Sequence, residues 1–325
     1  MGEKLSLRLR AYSFSLRKWR TQRPDKVYRL NSELKLMGKE SGEELIYANS
    51  LELFKDFINE NSDTVEAEDS QQLFSCHFDP QNQGETSSFR YLIFSVFSGY
   101  YGYASDLVDR SSKQVVHHKT RDQADVKEFY VIIAIPKDTE QVKSRRGLIL
   151  FQEIGVFGVK TITSKAIQKF FSQKFDITFR DQNLAPDFYL QHLFEFGLIK
   201  KIRIARNSLS GDSVDALYGF GYGREERTIV PLAITPALKM KLIHVSKSKY
   251  NFFTVNGVDF SETKMVVDLN GRPRVIDLHG LDNLSVEEVL PSELLLPDGT
   301  VDFDSFKDYT LKVAEEYLQH LPHDS

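Results

Sequence analysis

The chain has 325 residues, of which 41% are hydrophobic, 27% charged and 12% aromatic, a composition that excludes disordered and fibrous proteins. No apolar run approaches the roughly 18 residues of a membrane helix, and the charged N-terminus does not match a signal peptide. Since the single cysteine, Cys76, also excludes internal disulfides and multi-cysteine zinc sites, we expect a soluble cytoplasmic protein without membrane insertion.

The first half of the chain predicts strands connected by turns. Residues 5–16 alternate with period 2 and change phase near Arg10 and Ala11, which indicates a β-bulge. Ser50 precedes apolar residues at helical spacing and predicts a short helix. The other predicted strands are 27–36, 73–78, 89–97, 128–135 and 147–152, and the predicted exposed segments are 59–72 and 99–125.

The second half adds two helices before its next strand. Thr163 and Ser164 can cap the first helix, and Pro186 opens a second one that ends at Gly197. Residues 198–205 then alternate in polarity and predict a strand.

A hairpin and a helix are predicted at the C-terminal end. Asn270-Gly271 is the strongest two-residue hairpin signal in the chain, and it separates predicted strands at 264–269 and 272–279. Residues 304–321 predict the last helix. Because strands occur in runs without regular βαβ alternation, we predict an α+β fold with a mainly antiparallel sheet and flanking helices.

Charge is distributed unevenly along the chain, although the total is only −4. Residues 1–39 carry a net +8 and residues 160–249 a net +7, whereas residues 40–72 carry −9 and residues 250–325 carry −10. Blocks of opposite sign either neutralise each other across one surface or leave a cationic face for a polyanion. The sequence leaves both interpretations open, because the outcome depends on which faces meet.

Known catalytic and metal-binding motifs are absent from the sequence. The glycines of 219–223 lack the later glycine of a dinucleotide loop and the Gly-Lys-Ser/Thr of a P-loop. His117 and His118 are adjacent, so their side chains diverge, and no ligand stands at i+4. Cys76 is expected to be a small core side chain. We therefore expect neither a cofactor nor a metal, and the enzyme class has weak support.

One enzymatic alternative stays open. Nucleases assemble sites from carboxylates that are distant in sequence, and Asp268, Asp277 and Glu153 end or flank predicted strands. The acidic pattern of a metal-dependent nuclease is not evident around them. A metal-dependent nuclease is therefore an alternative to a binding function, as is a module whose charge blocks recognise another protein.

Basic residues among strands form the candidate site. The window 198–249 has ten basic and four acidic residues, and alternation puts Lys201 and Arg203 on one strand face, where they could meet adjacent phosphates. In a second group Trp19 could stack on a base or pack on Arg17 or Arg20. Since no base-reading motif is present, binding would be to the backbone. The candidate residues are Lys200, Lys201, Arg203, Arg206, Arg224, Arg227, Lys239, Lys241, Arg17, Lys18, Trp19 and Arg20.

The order of elements in the second half of the chain resembles a known group. The features are the strand 148–152 with its Gly155/Gly158 turn, the helix 164–174, the helix from Pro186 leading into 198–204, and the Asn270-Gly271-Arg272 hairpin before a C-terminal helix. This layout resembles the Rex A phage-exclusion proteins of lambda-like phages and, more loosely, the B component of the Kiwa anti-phage system.

The resemblance implies a non-enzymatic protein of anti-phage defence, acting by phage exclusion or abortive infection. It implies non-specific binding of double-stranded DNA, a homodimer, and a partner effector or membrane protein encoded nearby. It also implies a globular body formed by 1–197 and 250–325, with 198–249 as a smaller, basic and mobile inserted domain.

Overall fold

The structure is a computed structural model that describes most of the chain. The described residues are 7–18, 27–67, 70–140, 143–184, 193, 195–206, 224–231, 253–255, 257–269, 271–278, 285–319 and 321. Pairing between the strands is antiparallel, and helices pack on the sheet, which confirms the predicted α+β class.

The secondary structure is dominated by strands. The helices are α1 (Ser50–Glu60), α2 (Lys160–Phe175) and α3 (Phe303–Leu318). The strands are β1 (Leu7–Lys18), β2 (Leu34–Met37), β3 (Glu44–Tyr47), β4 (Val65–Ala67), β5 (Gln72–His77), β6 (Gln83–Glu85), β7 (Phe89–Tyr100), β8 (Ser105–Val108), β9 (Val115–Lys119), β10 (Asp125–Pro136), β11 (Gly147–Ile154), β12 (Phe157–Gly158), β13 (Ile177–Asn183), β14 (Leu198–Arg206), β15 (Glu225–Ile229), β16 (Phe253–Val255), β17 (Val258–Phe260), β18 (Glu262–Leu269), β19 (Arg272–Asp277) and β20 (Ser285–Val289).

The chain divides into two compact units, and the division differs from the predicted body and insertion. Unit 1 comprises Met1–Tyr12, Gln182–Phe306 and His320–Pro322, and unit 2 comprises the remaining residues. The strand β14 belongs to unit 1 because it pairs with β18 along most of its length, so the start of the predicted insertion is an integral sheet strand. Most of residues 207–252 lie outside the described residues.

Unit 2 is built on a sheet with the strand order β1-β11-β10-β7-β5-β4. The run Val131–Ile135 of β10 is fully buried between neighbours on both sides, as the continuous apolar sequence predicts. Phe57 of α1 contacts Phe94 of β7, whereas Lys307 of α3 lies over Tyr91 of the same strand. Since residues 91 and 94 face opposite sides of a strand, helices cover both faces of this sheet.

Aromatic packing holds α1 and α2 against the unit 2 sheet. The ring of Phe54 in α1 lies 5.4 Å from Phe14 of β1 and 5.2 Å from Phe171 of α2, measured between centroids. All three rings are fully buried. Each removes roughly 150–250 Å² from water, so this cluster dominates the stability of the layer.

Unit 1 has the strand order β15-β14-β18-β19-β20-β1. The predicted hairpin is confirmed, since Leu269 of β18 pairs with Arg272 of β19 and Gly271 adopts a φ of 77°. The Nε of Arg274 lies 2.9 Å from a carboxylate oxygen of Glu288, directly opposite on β20, and both side chains have no exposed surface. A charge pair is thus part of the core of unit 1.

Several predicted boundaries of strands, loops and helices were wrong. Most of these errors arise because pairing with a distant strand decides where a strand forms. The exposed segment 59–72 contains β4 and the start of β5, and the excursion 99–125 contains the β8–β9 hairpin. Residues 27–36 do not form one strand: Val27 makes an isolated bridge, and β2 pairs with the unpredicted β3. The helix α2 begins at Lys160, so Thr163 is a buried helical residue and not a cap.

The buried pair gives a test of the fold. Replacement of Glu288 by alanine leaves the Arg274 guanidinium in the core without its carboxylate. We expect this to reduce the free energy of unfolding by about 3–5 kcal/mol. The double variant R274M/E288L removes both charges, so its free energy of unfolding should fall much less. Urea denaturation measures both, and a loss below about 1 kcal/mol for E288A, as for an exposed pair, would contradict the burial.

Candidate nucleic-acid interface

The strand β14 carries the first candidate lysines at an irregularity. Its pairing with β18 shifts register between Ile199 and Lys201, so the predicted uninterrupted alternation was wrong. Lys200 and Lys201 are consequently both exposed, whereas Ile202 is buried on the opposite side. Within the described part of the chain neither lysine forms an ion pair. A β-bulge at this position therefore presents two adjacent free cations.

Two candidate arginines lie on the exposed outer face of the unit 1 sheet. Arg203 binds the carboxylate of Glu226 through two guanidinium nitrogens, one of them at 2.7 Å. Arg224 donates two hydrogen bonds of 2.6 and 2.5 Å to Glu262 of β18, and its Nε lies 3.9 Å from Glu226. Both arginines are thus fixed in bidentate pairs, the strongest class of charged hydrogen bond.

The other two described arginines of this window face the inner side of the sheet. Arg206 and Arg227 both donate to Glu225, at 2.7 and 2.8 Å. Their guanidinium carbons lie 5.7 and 5.2 Å from the centroid of the buried Phe260 ring. Because alternate residues of a strand point to opposite faces, these arginines cannot share a flat surface with Arg203 and Arg224.

The pairing fixes the charge of the carboxylates. Hydrogen bonds from Arg227 and Arg206 lower the pKa of Glu225, and the hydrogen bond from Arg203 lowers the pKa of Glu226. The hydrogen bond to Glu262 raises the pKa of Arg224. Each of these three shifts favours the ionised form of its group, so Glu225, Glu226 and Arg224 are charged at neutral pH.

We call this group of side chains the charged edge, since β15 is the outermost strand in the described sheet order. Its six basic residues and three carboxylates carry a net charge of +3. The four described arginines do not converge on one surface, because they divide between two faces and each is matched to a glutamate. The members are Lys200, Lys201, Arg203, Arg206, Arg224, Arg227, Glu225, Glu226 and Glu262.

The remaining candidate residues lie elsewhere. Lys239, Lys241, Trp19 and Arg20 fall outside the described residues. Arg17 and Lys18 end β1 within unit 2 and are not members of the charged edge.

Sequence reasoning missed the acidic partners and the rest of the outer face. Lys264 of β18 pairs with Asp277 at 2.9 Å, and Glu287 accepts from Arg8 and Arg10 at 3.0 and 2.7 Å. These pairs continue the matching of cations with carboxylates across the outer face to β1, where Arg8 and Arg10 share Glu287. Strand register brings these residues together although they are distant in sequence. No local sequence signal could therefore have shown which carboxylate lies beside which cation.

The residues that were considered for catalysis or metal binding are buried or make contacts that stabilise local structure. Cys76 is buried as predicted, and burial raises the pKa of its thiol. Asp268 caps the hairpin by accepting from the Gly271 amide at 3.0 Å. His118 contacts Asp106 at 2.6 Å on the exposed β8–β9 hairpin. In the described ranges, no three His, Cys, Asp or Glu side chains come close enough to hold a metal ion.

Comparisons with known proteins add no constraint. No family model, curated protein or solved structure matches this chain. Among the described helices, none has the length and apolar character needed to cross a membrane.

Proposed function

We propose that this protein binds double-stranded DNA through its phosphates, without reading sequence and without catalysis, and that the charged edge makes the contact. The observation that carries the proposal is the pair Lys200 and Lys201, both exposed at a bulge and unpaired among the described residues. Two adjacent ammonium groups beside a cluster of net positive charge attract a polyanion.

The arginine pairs limit how many phosphates can be held. A bidentate pair uses two of the five N–H donors of a guanidinium, so Arg203 and Arg224 can each contribute at most one phosphate contact in competition with a glutamate. Arg206 and Arg227 face the other side of the sheet and would not reach the same duplex. The outer face therefore offers Lys200, Lys201, Arg203 and Arg224, and about four phosphate contacts correspond to a salt slope of about −3.6.

Reversal of the two lysine charges tests the assignment. The variant K200E/K201E removes two phosphate contacts, and we expect duplex affinity to fall by on the order of tenfold or more and the salt slope to become less steep by about 2. Fluorescence anisotropy with a labelled duplex at several salt concentrations measures both quantities.

The control variant K165E/K312E makes the same change in net charge at two exposed lysines of unit 2 helices. Equal losses in the two variants would show that total charge, and not the charged edge, controls binding. In the opposite direction, E226Q/E262Q should strengthen binding, since it removes the two carboxylates that compete for Arg203 and Arg224 on the outer face. Cleavage of a plasmid in the presence of Mg²⁺ or Mn²⁺ would contradict a purely binding role and support the nuclease alternative.

We assign the biological role by the resemblance to phage-exclusion proteins. In this proposal the cytoplasmic protein senses DNA and acts with a partner effector or membrane protein, and protects a bacterial population against phage. Deletion of the gene should then raise phage plating efficiency, and K200E/K201E should behave like the deletion.

A homodimer is part of the proposal, and the β8–β9 hairpin of unit 2 fits its interface. This hairpin forms a separate two-stranded sheet, yet Leu107 and Val116 on its two strands are 52% and 67% exposed. An isolated two-stranded ribbon is marginally stable in water. Its loop carries Asp109 and Arg110, charges of both signs that a second copy related by a two-fold axis can match.

Substitution within this hairpin tests the dimer. L107K/V116K places charges on the apolar surface and should convert a dimer into a monomer in size-exclusion chromatography with light scattering. M37K/I46K is the control, because both side chains are 58% exposed on the β2–β3 hairpin of the same unit. A monomeric wild-type protein, or a dimer that survives L107K/V116K, would contradict this interface.

A further inference from the structure

Unit 2 contains a polar cavity walled by aromatic rings. Its volume is about 90 Å³, less than the roughly 150 Å³ of a cavity that encloses benzene, so it can take the edge of a ring but does not enclose a whole one. We call it the aromatic pocket. It is formed by β5, β7, β10 and the β11–β12 hairpin, and its lining includes Gln72, Ser98, Tyr100, Tyr103, Asp125, Lys127 and Phe157.

Strand register brings the floor of the aromatic pocket together. Gln72 of β5 pairs with Tyr100 of β7, which pairs with Asp125 of β10, so the three side chains share one face. Ser98 and Lys127 are opposite each other one step along the same face. A Cβ atom at Gly99 would lie 2.2 Å from the Asp125 carbonyl oxygen, so only glycine lets β7 and β10 approach this closely.

Two polar side chains lie in the floor, and neither makes a side-chain hydrogen bond within the described part of the chain. Ser98 is 6% exposed, and its hydroxyl oxygen is buried and unsatisfied. Gln72 is 9% exposed and lines the cavity. A buried hydroxyl without a partner is costly, and an amide at the cavity wall offers donors and an acceptor to a polar ligand.

The walls are aromatic rings contacted by cations, and one of these cations, Lys127, itself lines the pocket. Tyr103 and Phe157 are 49% and 41% exposed. The ammonium of Lys119 lies 3.6 Å from the Tyr103 centroid, and that of Lys127 lies 4.8 Å from the Phe157 centroid. Exposed rings in fixed orientations offer π-faces to a flat ligand.

We propose that the aromatic pocket binds one unstacked nucleobase. The base would stack on Tyr103 and Phe157 and present its polar edge to the Gln72 amide, which can both donate and accept. A ring with donors and acceptors on its edge can hydrogen-bond to the polar floor and stack on the aromatic walls. An apolar ring makes only the second contact, and a simple anion makes only the first. The base is that of a free nucleotide or of an unpaired position in a strand.

This site is separate from the charged edge, since all its residues belong to unit 2. Asp125 and Lys127 form an ion pair at the rim and cancel in charge. Base binding should therefore depend little on salt, whereas phosphate contacts at the charged edge weaken steeply as salt rises. The two proposals can fail independently.

The experiment uses the full-length protein and saturation-transfer NMR with the four nucleoside monophosphates and with a short oligothymidylate. We expect millimolar or tighter binding of at least one nucleotide. Y103A should weaken it by about tenfold, as loss of one stacking ring does. Y103F, which keeps the ring, should bind like the wild type, and Q72L should bind more weakly.

The outcomes separate the ligand sources and the proposals. Binding of monophosphates alone identifies a free nucleotide as the source, and binding of the oligonucleotide as well identifies an unpaired position in a strand. K200E/K201E should leave nucleotide binding unchanged, which separates this site from duplex binding. Absence of any binding at millimolar nucleotide, or binding that Y103A does not alter, would overturn the proposal.

Discussion

Antiparallel register is the constraint on which the rest of this structure depends. It places each residue directly beside one residue of the neighbouring strand, on the same face, however far apart the two stand in sequence. In unit 1 it sets Arg274 against Glu288 in the core and Lys264 against Asp277 on the outer face. Among the described residues of unit 1, cations and carboxylates therefore meet in pairs and do not form separate cationic and anionic surfaces.

Pairing of this kind changes what an arginine can do. A guanidinium that is bound by a carboxylate is already ordered, so little further side-chain entropy is lost when a phosphate binds. The phosphate must, however, share the N–H donors of the guanidinium with that carboxylate. A lysine at a bulge has no such competitor, although it pays side-chain entropy on binding. Affinity for a polyanion should therefore come mostly from Lys200 and Lys201, with the paired arginines of the outer face giving orientation.

The sequence predicted elements whose signals are local. The apolar run 131–135 identified a strand buried on both faces, Asn270-Gly271 identified a tight hairpin, and the spacing of apolar residues identified α3. The bulge in β14, the short β4 and the β8–β9 hairpin were missed, because their existence depends on partners elsewhere in the chain. The candidate cations were identified by counting basic residues in a sequence window. The sheet face on which each cation lies, and the glutamate with which it pairs, depend on strand register.

The same reasoning explains why the aromatic pocket had no sequence signal. Gln72, Ser98 and Lys127 come from three strands, and each residue alone reads as an ordinary strand position. What distinguishes them is that antiparallel pairing aligns them on one face while leaving the buried Ser98 hydroxyl without a hydrogen bond. Since folding normally satisfies buried polar groups, an unsatisfied hydroxyl beside an amide that lines a cavity, beneath exposed aromatic rings, is the feature on which the proposed ligand rests.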